Sequence, residues 1–553
     1  MQASSVSTVY EAFAEAADRN ADRPFLHIPA VACRAYSPVS IDLTYRGMVE
    51  KVSRLAVKYR DAGYGHGHRI ALMLENRPQF FEHFLALNSL GASIVPMSAE
   101  LRTEEVRYLL DHSDAALVVA LADHCTRVRQ AIAALGTRPA VVPDDAEELP
   151  PPLREIPRDL RLSSEEAALL YTSGTTGKPK GCVLANAYFL ECGRWYVNLG
   201  GLCTLTAGCE RLITPLPLNH SNALAWSFLG MALSGGCLVQ LDRFHPQRWW
   251  DTVRSSRATV IHYLGVMPAI LLKSPPSGDE DFSRQIKFGL GAGVDPRHQA
   301  AFEQRFGFPL AEGWAMTEGG SGAITMINKA PRHVGTRCIG RPEPWLDYRL
   351  VDESDQDVPG GEPGQLLVRR RGGEPRRFFF SGYYKDPRAT AEAWAGDWFH
   401  TGDVVRADAD GYLYFVDRRK NIVRRSGENI AAVEVEGVLQ RHAAVKGCAI
   451  TPVPDEVRGE EVFAFVILDP AAVASPALAR ELFDFAGSLL AYFKLPGYIA
   501  FVEALPLTGS QKIQRGEIRR LAEQYLTEVK AFDMTPLKKR SRFGGTRQER
   551  ANG

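Results

Sequence analysis

The sequence predicts an α/β protein: layered sheets in a large N-terminal domain, a small β-rich subdomain, then a small α+β domain closing the chain. Three stretches carry that expectation. Over residues 42–120, helical and strand patterns alternate: a helix at 45–62, a strand at 69–74, a helix at 79–90, a strand at 93–96 and a helix from about 103. Strands and helices alternating at this spacing argue for layered α/β packing. Beyond about 340, short strands at 348–351, 365–369 and 412–416 are separated by Gly/Pro turns, which suits a β-rich unit. From about 419 the pattern restarts, with a helix at 433–440, strands at 445–451 and 462–468, and a helix at 477–491 that Pro496 closes off.

The remaining elements follow in order. An apolar run, 167–170, reads as a strand ending at Tyr171. The proline-rich stretch 143–157 before it is a surface connection. The run 223–239 is apolar, but Ser234-Gly235-Gly236 divides it into a short helix and a strand, and it is slightly short for a bilayer crossing. The expected units are therefore 1–418, 419–530, and a tail over 531–553 whose basic residues and few apolar ones predict disorder.

Composition narrows the function classes. The 553 residues are 45% hydrophobic and 24% charged, ordinary for a globular protein with a large core. Lys+Arg and Asp+Glu both number 65, so no bulk charge favours a nucleic acid. The first twenty residues lack an apolar core and carry Glu11, Glu15 and Asp18, unlike a signal peptide. Nine cysteines without a CxxC pair read as free thiols, and a cytoplasmic location is expected. A homo-oligomer is left open.

The most informative segment is 171–181, YTSGTTGKPKG. Thr172, Ser173, Thr175 and Thr176 bring hydroxyls, Gly174 and Gly177 let backbone N–H groups converge, and Lys178 and Lys180 add charge. Such a loop suits a polyphosphate. It is not a Walker loop: Thr172 stands where the first glycine belongs, and Pro179 follows Lys178.

This loop resembles the phosphate-binding signature of the adenylate-forming superfamily, which includes acyl-CoA synthetases, peptide-synthetase adenylation domains and beetle luciferases. Further motifs of that family follow in order along nearly the whole chain. Trp314-Ala315-Met316-Thr317-Glu318 is similar to its aromatic–Gly–x–Thr–Glu motif. The resemblance implies an aromatic face on adenine, Thr317 on the α-phosphate and Glu318 holding Mg²⁺. Gly291-Ala292-Gly293 would lie against the adenine. Thr401-Gly402-Asp403 resembles the ribose-binding motif, with Arg418 as a second ribose and phosphate contact. Lys420 falls at the family's hinge, and Ser426, Gly427 and Glu428 would line the coenzyme A path once the C-terminal domain rotates. Lys512 resembles the catalytic lysine, and His220 the histidine that gates the acyl pocket. That pocket would include Asn222, Trp226, His262, Gly265 and Gly319. Three positions depart from the pattern: Ala315 and Gln511 replace glycines, and Asn186 replaces a histidine.

The resemblance implies an AMP-forming acid–CoA ligase using ATP, Mg²⁺ and coenzyme A, nearest in style to crotonobetaine/carnitine–CoA ligases. The small-molecule acid is expected to be short or medium, polar or cyclic. Loading of a separate carrier protein and a non-catalytic nucleotide-binding homologue are the alternatives.

Overall fold

The computed structural model describes residues 6–136, 138–153, 166–172, 178–276, 278, 280–352, 354–418, 422–506 and 515–538. The expected elements form with small shifts at their ends. The first helix of the alternating region spans Tyr45–Asp61, the next strand Arg69–Met73, the second helix Pro78–Ser89 and the second strand Ser93–Pro96. In the C-terminal domain the strands are longer than expected, Val445–Asp455 and Gly459–Leu468, because they pair with each other as one long antiparallel ribbon.

Two sheets build the N-terminal domain. One runs in the order Gly382–Tyr383, Lys180–Ala185, Glu166–Thr172, Ser93–Pro96, Arg69–Met73, Leu117–Ala120, Ala140–Pro143. Its inner strands are parallel and buried on both faces, as all-apolar strands such as Leu117–Ala120 require. A buried Arg69–Glu166 ion pair, 2.7 Å, with Ser93 Oγ donating to the same carboxylate at 2.7 Å, ties three of these strands. The second sheet has a parallel centre made by Cys237–Gln240, Arg211–Thr214, Val260–Leu264, Phe288–Ala292 and Leu310–Trp314.

The β-rich region is not a separate layer. Cys338–Pro342 pairs antiparallel with both Thr325–Ile327 and Leu413–Arg418, so the strands from 338 to 418, apart from Gly382–Tyr383, extend the second sheet at one edge. Between the two sheets lies an aromatic core in which Phe25 is packed by Phe13, Tyr45, Phe81 and Phe228. The buried Tyr45 hydroxyl donates to Met231 O at 2.9 Å, meeting the need of a buried polar tip.

The 223–239 run folds as anticipated. A π-helical turn, Asn222–Ser227, leads into Phe228–Ser234. Gly235 ends that helix at φ +70°, and the strand Cys237–Gln240 follows. Among the described residues no helix is long and apolar enough to cross a membrane. All nine cysteines are free thiols, and only Cys209 is exposed.

The C-terminal domain has its own sheet and core, and it reaches further than 530. Phe532–Asp533 pairs with Tyr498–Phe501, and Lys538 is buried, its ammonium donating to Leu495 O at 2.5 Å and Phe493 O at 3.3 Å and pairing with Glu461. Segment 531–538 thus belongs to the domain, because an edge strand and a buried cation anchor it. Burial, opposed by Glu461, pulls Lys538 down to about 7.

Candidate functional site

A cavity of about 380 Å³ opens where the two N-terminal sheets meet the C-terminal domain. Its floor is a junction of three distant segments. Thr172 ends the strand Glu166–Thr172 and pairs with Lys180 across the hairpin. The short edge strand Gly382–Tyr383 pairs with the same hairpin, Tyr383 opposite Cys182. Both side chains converge on Glu318: Thr172 Oγ1 donates to Glu318 Oε1 at 3.2 Å, and the Tyr383 hydroxyl donates to the same oxygen at 3.0 Å. Glu318 is buried. Lys180 Nζ lies 4.8 Å from the Tyr383 ring centroid and 3.9 Å from Asp386. Beside this junction, Thr317 Oγ1 and Ser221 Oγ are 3.3 Å apart. Burial and the Glu318 carboxylate hold the adjacent Cys182 thiol well above the ordinary range, so it stays neutral.

On the wall, Phe399–Ala407 presents Asp403, directly across the ladder from Arg418. Asp403 is buried, and its Oδ2 accepts from the Trp314 indole N–H at 2.8 Å. Its backbone N–H donates to Thr401 Oγ1 at 3.1 Å, and Thr401 in turn donates to Leu366 O at 2.7 Å. The carboxylate is therefore oriented before any ligand arrives.

The roof comes from the C-terminal domain. Arg424, Ser426, Gly427 and Glu428 line the cavity from a hairpin in which Ile422–Arg425 pairs with Glu428–Ala431. Gly427 has φ +89°, and a Cβ there would sit 2.2 Å from Leu264 Cδ1. That backbone region favours glycine, and an added Cβ would also have to push the Leu264 side chain aside. Glu428 lies 3.4 Å from His220 Nε2. Burial lowers the His220 pKa, but the Glu428 carboxylate outweighs it and raises the pKa overall.

Of the residues singled out in the sequence, Thr172, Lys180, His220, Asn222, Ala315, Met316, Thr317, Glu318, Asp403, Ser426, Gly427 and Glu428 line this one cavity. Ser173, Gly174, Thr175, Thr176, Gly177, Lys420 and Lys512 lie outside the described residues.

Several expectations change. Trp314 offers no face to the cavity; the indole is buried behind Asp403 as its hydrogen-bond donor. Gly291 packs its backbone against Tyr263, where a Cβ would come within 2.4 Å of Tyr263 O, and Gly291 and Ala292 do not line the cavity. Gly293 (φ +80°) and Gly265 instead face a second cleft of about 340 Å³ between the domains. Glu312 shapes that turn by accepting from the backbone N–H groups of Gly293 and Val294 at 2.9 and 3.1 Å. His262 is fully buried, bonded to Ser227 Oγ at 2.7 Å and Tyr196 OH at 2.9 Å, and burial drives its pKa to about 3. It is a neutral core histidine. Trp226 and Gly319 are buried outside the cavity lining, and Lys178 is exposed, 5.2 Å from the Tyr108 ring. Asn186 is a tie rather than a site residue: its Oδ1 accepts from Val9 N at 3.0 Å and Asn88 Nδ2 at 2.9 Å.

Sequence reasoning missed Tyr383 and Arg424. Tyr383 sits in Ser381-Gly382-Tyr383-Tyr384, where the only local signal is glycine beside aromatic residues. Arg424 stands two residues before Ser426, within a segment already singled out.

Comparison with known proteins fits this arrangement. The AMP-binding enzyme family model matches residues 13–384, and its C-terminal domain model matches 434–512. A feruloyl-CoA synthase from Amycolatopsis sp is 32% identical over 483 residues, covering 86% of this chain and 94% of the relative. A crotonobetaine/carnitine–CoA ligase from Citrobacter koseri is 30% identical over 498 residues, 86% and 93% of the two chains. Among solved structures, a double mutant of the o-succinylbenzoate CoA synthetase from Bacillus subtilis, bound to a product analogue, aligns with TM-score 0.78 at 23% identity. It covers 92% of this chain and 98% of its own. The same enzyme with its acyl-adenylate aligns at 0.62, 22% identity, over 92% and 97%. By the length of these matches and the order of its motifs, the chain belongs to the AMP-binding enzymes of the adenylate-forming superfamily.

Proposed function

We propose that this chain is an AMP-forming acid–coenzyme A ligase. The observation that carries it is the composite cavity. One wall orients a buried Asp403, the floor holds Glu318 beside Thr172 and Tyr383, and the roof is a glycine loop from a second domain. A nucleotide with an anionic tail matches the first two, and a slender thiol-bearing arm matches the third.

In the first step the acid's carboxylate oxygen attacks the α-phosphorus of ATP. A P–O bond forms, the bond to the β-phosphate bridge breaks, and pyrophosphate leaves. Asp403 accepts hydrogen bonds from the ribose hydroxyls, with Arg418 at the opposite register position of the neighbouring strand. The 172–180 loop holds the β- and γ-phosphates. Lys512 stabilises charge as it moves towards pyrophosphate, a positioning and electrostatic task. Glu318 fits Mg²⁺ through its hard carboxylate oxygen. Mg²⁺ is commonly held by one or two carboxylates together with substrate phosphates. When bound, Mg²⁺ neutralises phosphate charge. In the second step the thiol sulfur attacks the acyl carbonyl carbon, the carbonyl–phosphate oxygen bond breaks, AMP leaves and the thiol proton passes to solvent. His220, held by Glu428, stands at the acyl side of the cavity.

The acid is proposed to be short or medium, with a polar or cyclic tail. Asn222, which lines the cavity, has a buried Oδ1 without a hydrogen-bond partner among the described residues. A saturated fatty chain would leave it unmet, at a cost of roughly 1–3 kcal/mol.

The test incubates the protein with ATP, Mg²⁺ and a panel of carboxylic acids, with and without coenzyme A, and reads AMP, acyl-AMP and thioester by mass spectrometry. Thioester from polar or aromatic acids is the expected result. Acyl-AMP that never becomes thioester would replace coenzyme A by a carrier-protein acceptor. Activity confined to long saturated acids would overturn the proposed acid class.

A further inference from the structure

Away from the cavity, the two domains meet at a buried cluster of charges. Glu105 lies in the first turn of Thr103–Ser113, in the N-terminal domain. Its Oε2 accepts from its own helix start, Arg102 N at 2.9 Å, and from Ala491 N of the C-terminal domain at 3.1 Å. Its Oε1 pairs with Lys494 Nζ at 2.5 Å, and the same ammonium reaches Glu434 at 2.7 Å. Arg102 Nε adds a donor to Leu490 O at 3.2 Å. The Glu105, Lys494 and Glu434 side chains are 8%, 9% and 10% exposed, so water does little to screen them.

The membership of this cluster matters. Lys494 and Glu434 belong to the same domain and move together, so they stay paired in any orientation. Glu105 keeps its helix-start N–H in any orientation and loses only the contacts across the seam. Breaking the seam therefore leaves no stranded buried charge, which would otherwise cost several kcal/mol. Desolvation cancels much of the attraction of a buried pair, so this cluster adds little glue. What it adds is direction: one orientation satisfies all its bonds, and a small misrotation loses those that cross the seam.

A rigid chain of contacts connects the cluster to the cavity roof. Lys538 donates to Phe493 O and Leu495 O, on either side of Lys494, and pairs with Glu461. Glu461 also pairs with Arg425 at 2.7 Å, and Arg425 immediately precedes the Ser426–Gly427–Glu428 loop. Setting Lys494 against Glu105 thus sets the loop against Leu264 and His220. Neither Glu105 nor Lys494 lines the cavity.

We propose that Glu105 and Lys494 form a registration latch that positions the C-terminal domain for the thiol-transfer step and takes no part in adenylate formation. Both are positioning residues. The latch presupposes the two-step ligase chemistry proposed above.

The experiment uses the full chain as wild type, Glu105→Gln, Lys494→Met and Lys494→Arg. Acyl-AMP formation is timed without coenzyme A, and thioester formation is timed from preformed acyl-AMP. In parallel, domain orientation is read by the distance between spin labels on Cys209, the only exposed cysteine among the described residues, and on Val473→Cys, an exposed site in the C-terminal domain. Adenylate formation should stay within about twofold of wild type in Glu105→Gln and Lys494→Met, while transfer slows about tenfold and the label distance broadens. Those magnitudes match the loss of one buried charge-assisted contact. Lys494→Arg, which keeps the charge, should recover most of the transfer rate. An unchanged transfer rate and distance in both charge-removing variants would overturn the latch. So would an equal fall in both steps accompanied by a lower melting temperature, the mark of a merely structural role. Should wild type itself make no thioester, the ligase reading fails, and the distance measurement, which needs no chemistry, still decides the latch.

Discussion

The cavity's two halves are held in different ways. In the N-terminal half, Glu318 is fixed by Thr172 and Tyr383, and Asp403 by Trp314 and the strand ladder to Arg418. Every one of these partners belongs to the same two sheets. The C-terminal half meets the cavity through a glycine touching Leu264, a carboxylate near His220 and a distant ion-pair cluster. The first half is preorganised by continuous secondary structure, while the second is held across a seam between two separately packed cores. The proposed two-step chemistry would use this asymmetry as a fixed nucleotide site and a removable thiol gate.

Glu318→Gln, which removes charge but little volume, tests the fixed half most severely. Adenylate formation should fall by about 10²–10³, the usual loss for one preorganised electrostatic group, as read by pyrophosphate release. A fall of less than tenfold would mean that the floor is not where phosphate charge is handled. Next is Gly427→Ala. With φ +89° and Leu264 Cδ1 at 2.2 Å, the docked loop would be strained by about 1–3 kcal/mol. Thioester formation from acyl-AMP should drop about tenfold or more, and equal loss in both steps would contradict the division of labour.

Trp314→Phe sharpens the fixed half by deleting one donor to a buried carboxylate. The expected change is about a tenfold higher KM for ATP, from a hydrogen bond to a charged group. Unaltered ATP binding would show that Asp403 is oriented by the strand alone. The smallest effect concerns pH. Because Glu428 raises the His220 pKa, the His220–Glu428 attraction is fully present below the ordinary histidine value of about 6.5 and is lost as pH rises through the raised value. The labelled-domain distance should therefore loosen by a modest amount towards alkaline pH, and His220→Gln should flatten that response. A profile identical in the variant would remove His220 from the seam.

Much of the site could be read directly, because its chemistry lies in contiguous segments. A hydroxyl- and glycine-rich segment, a Thr-Glu pair and a Thr-Gly-Asp triplet stand out because they follow one another in the order of a known family. What could not be read was side-chain direction and long-range pairing. Trp314 belongs to a strand buried on both faces, so nothing in its neighbours says which face meets the cavity. Tyr383 reaches Glu318 because a two-residue edge strand pairs with Lys180–Ala185, a contact some two hundred residues apart. His262 carries the residue type of a pocket histidine, but Tyr196 and Ser227 absorb both ring nitrogens inside the core.

The layered α/β class, the succession of elements and the residue types that suit a nucleotide were legible in the sequence, since these depend on local periodicity and on motifs a few residues long. Only the tertiary structure decided which of those residues share one cavity, that the chain stays packed to Lys538, and that Glu105 meets Lys494 across the seam. Those outcomes depend on pairing register and on burial shared between segments far apart in the chain, which no local pattern encodes.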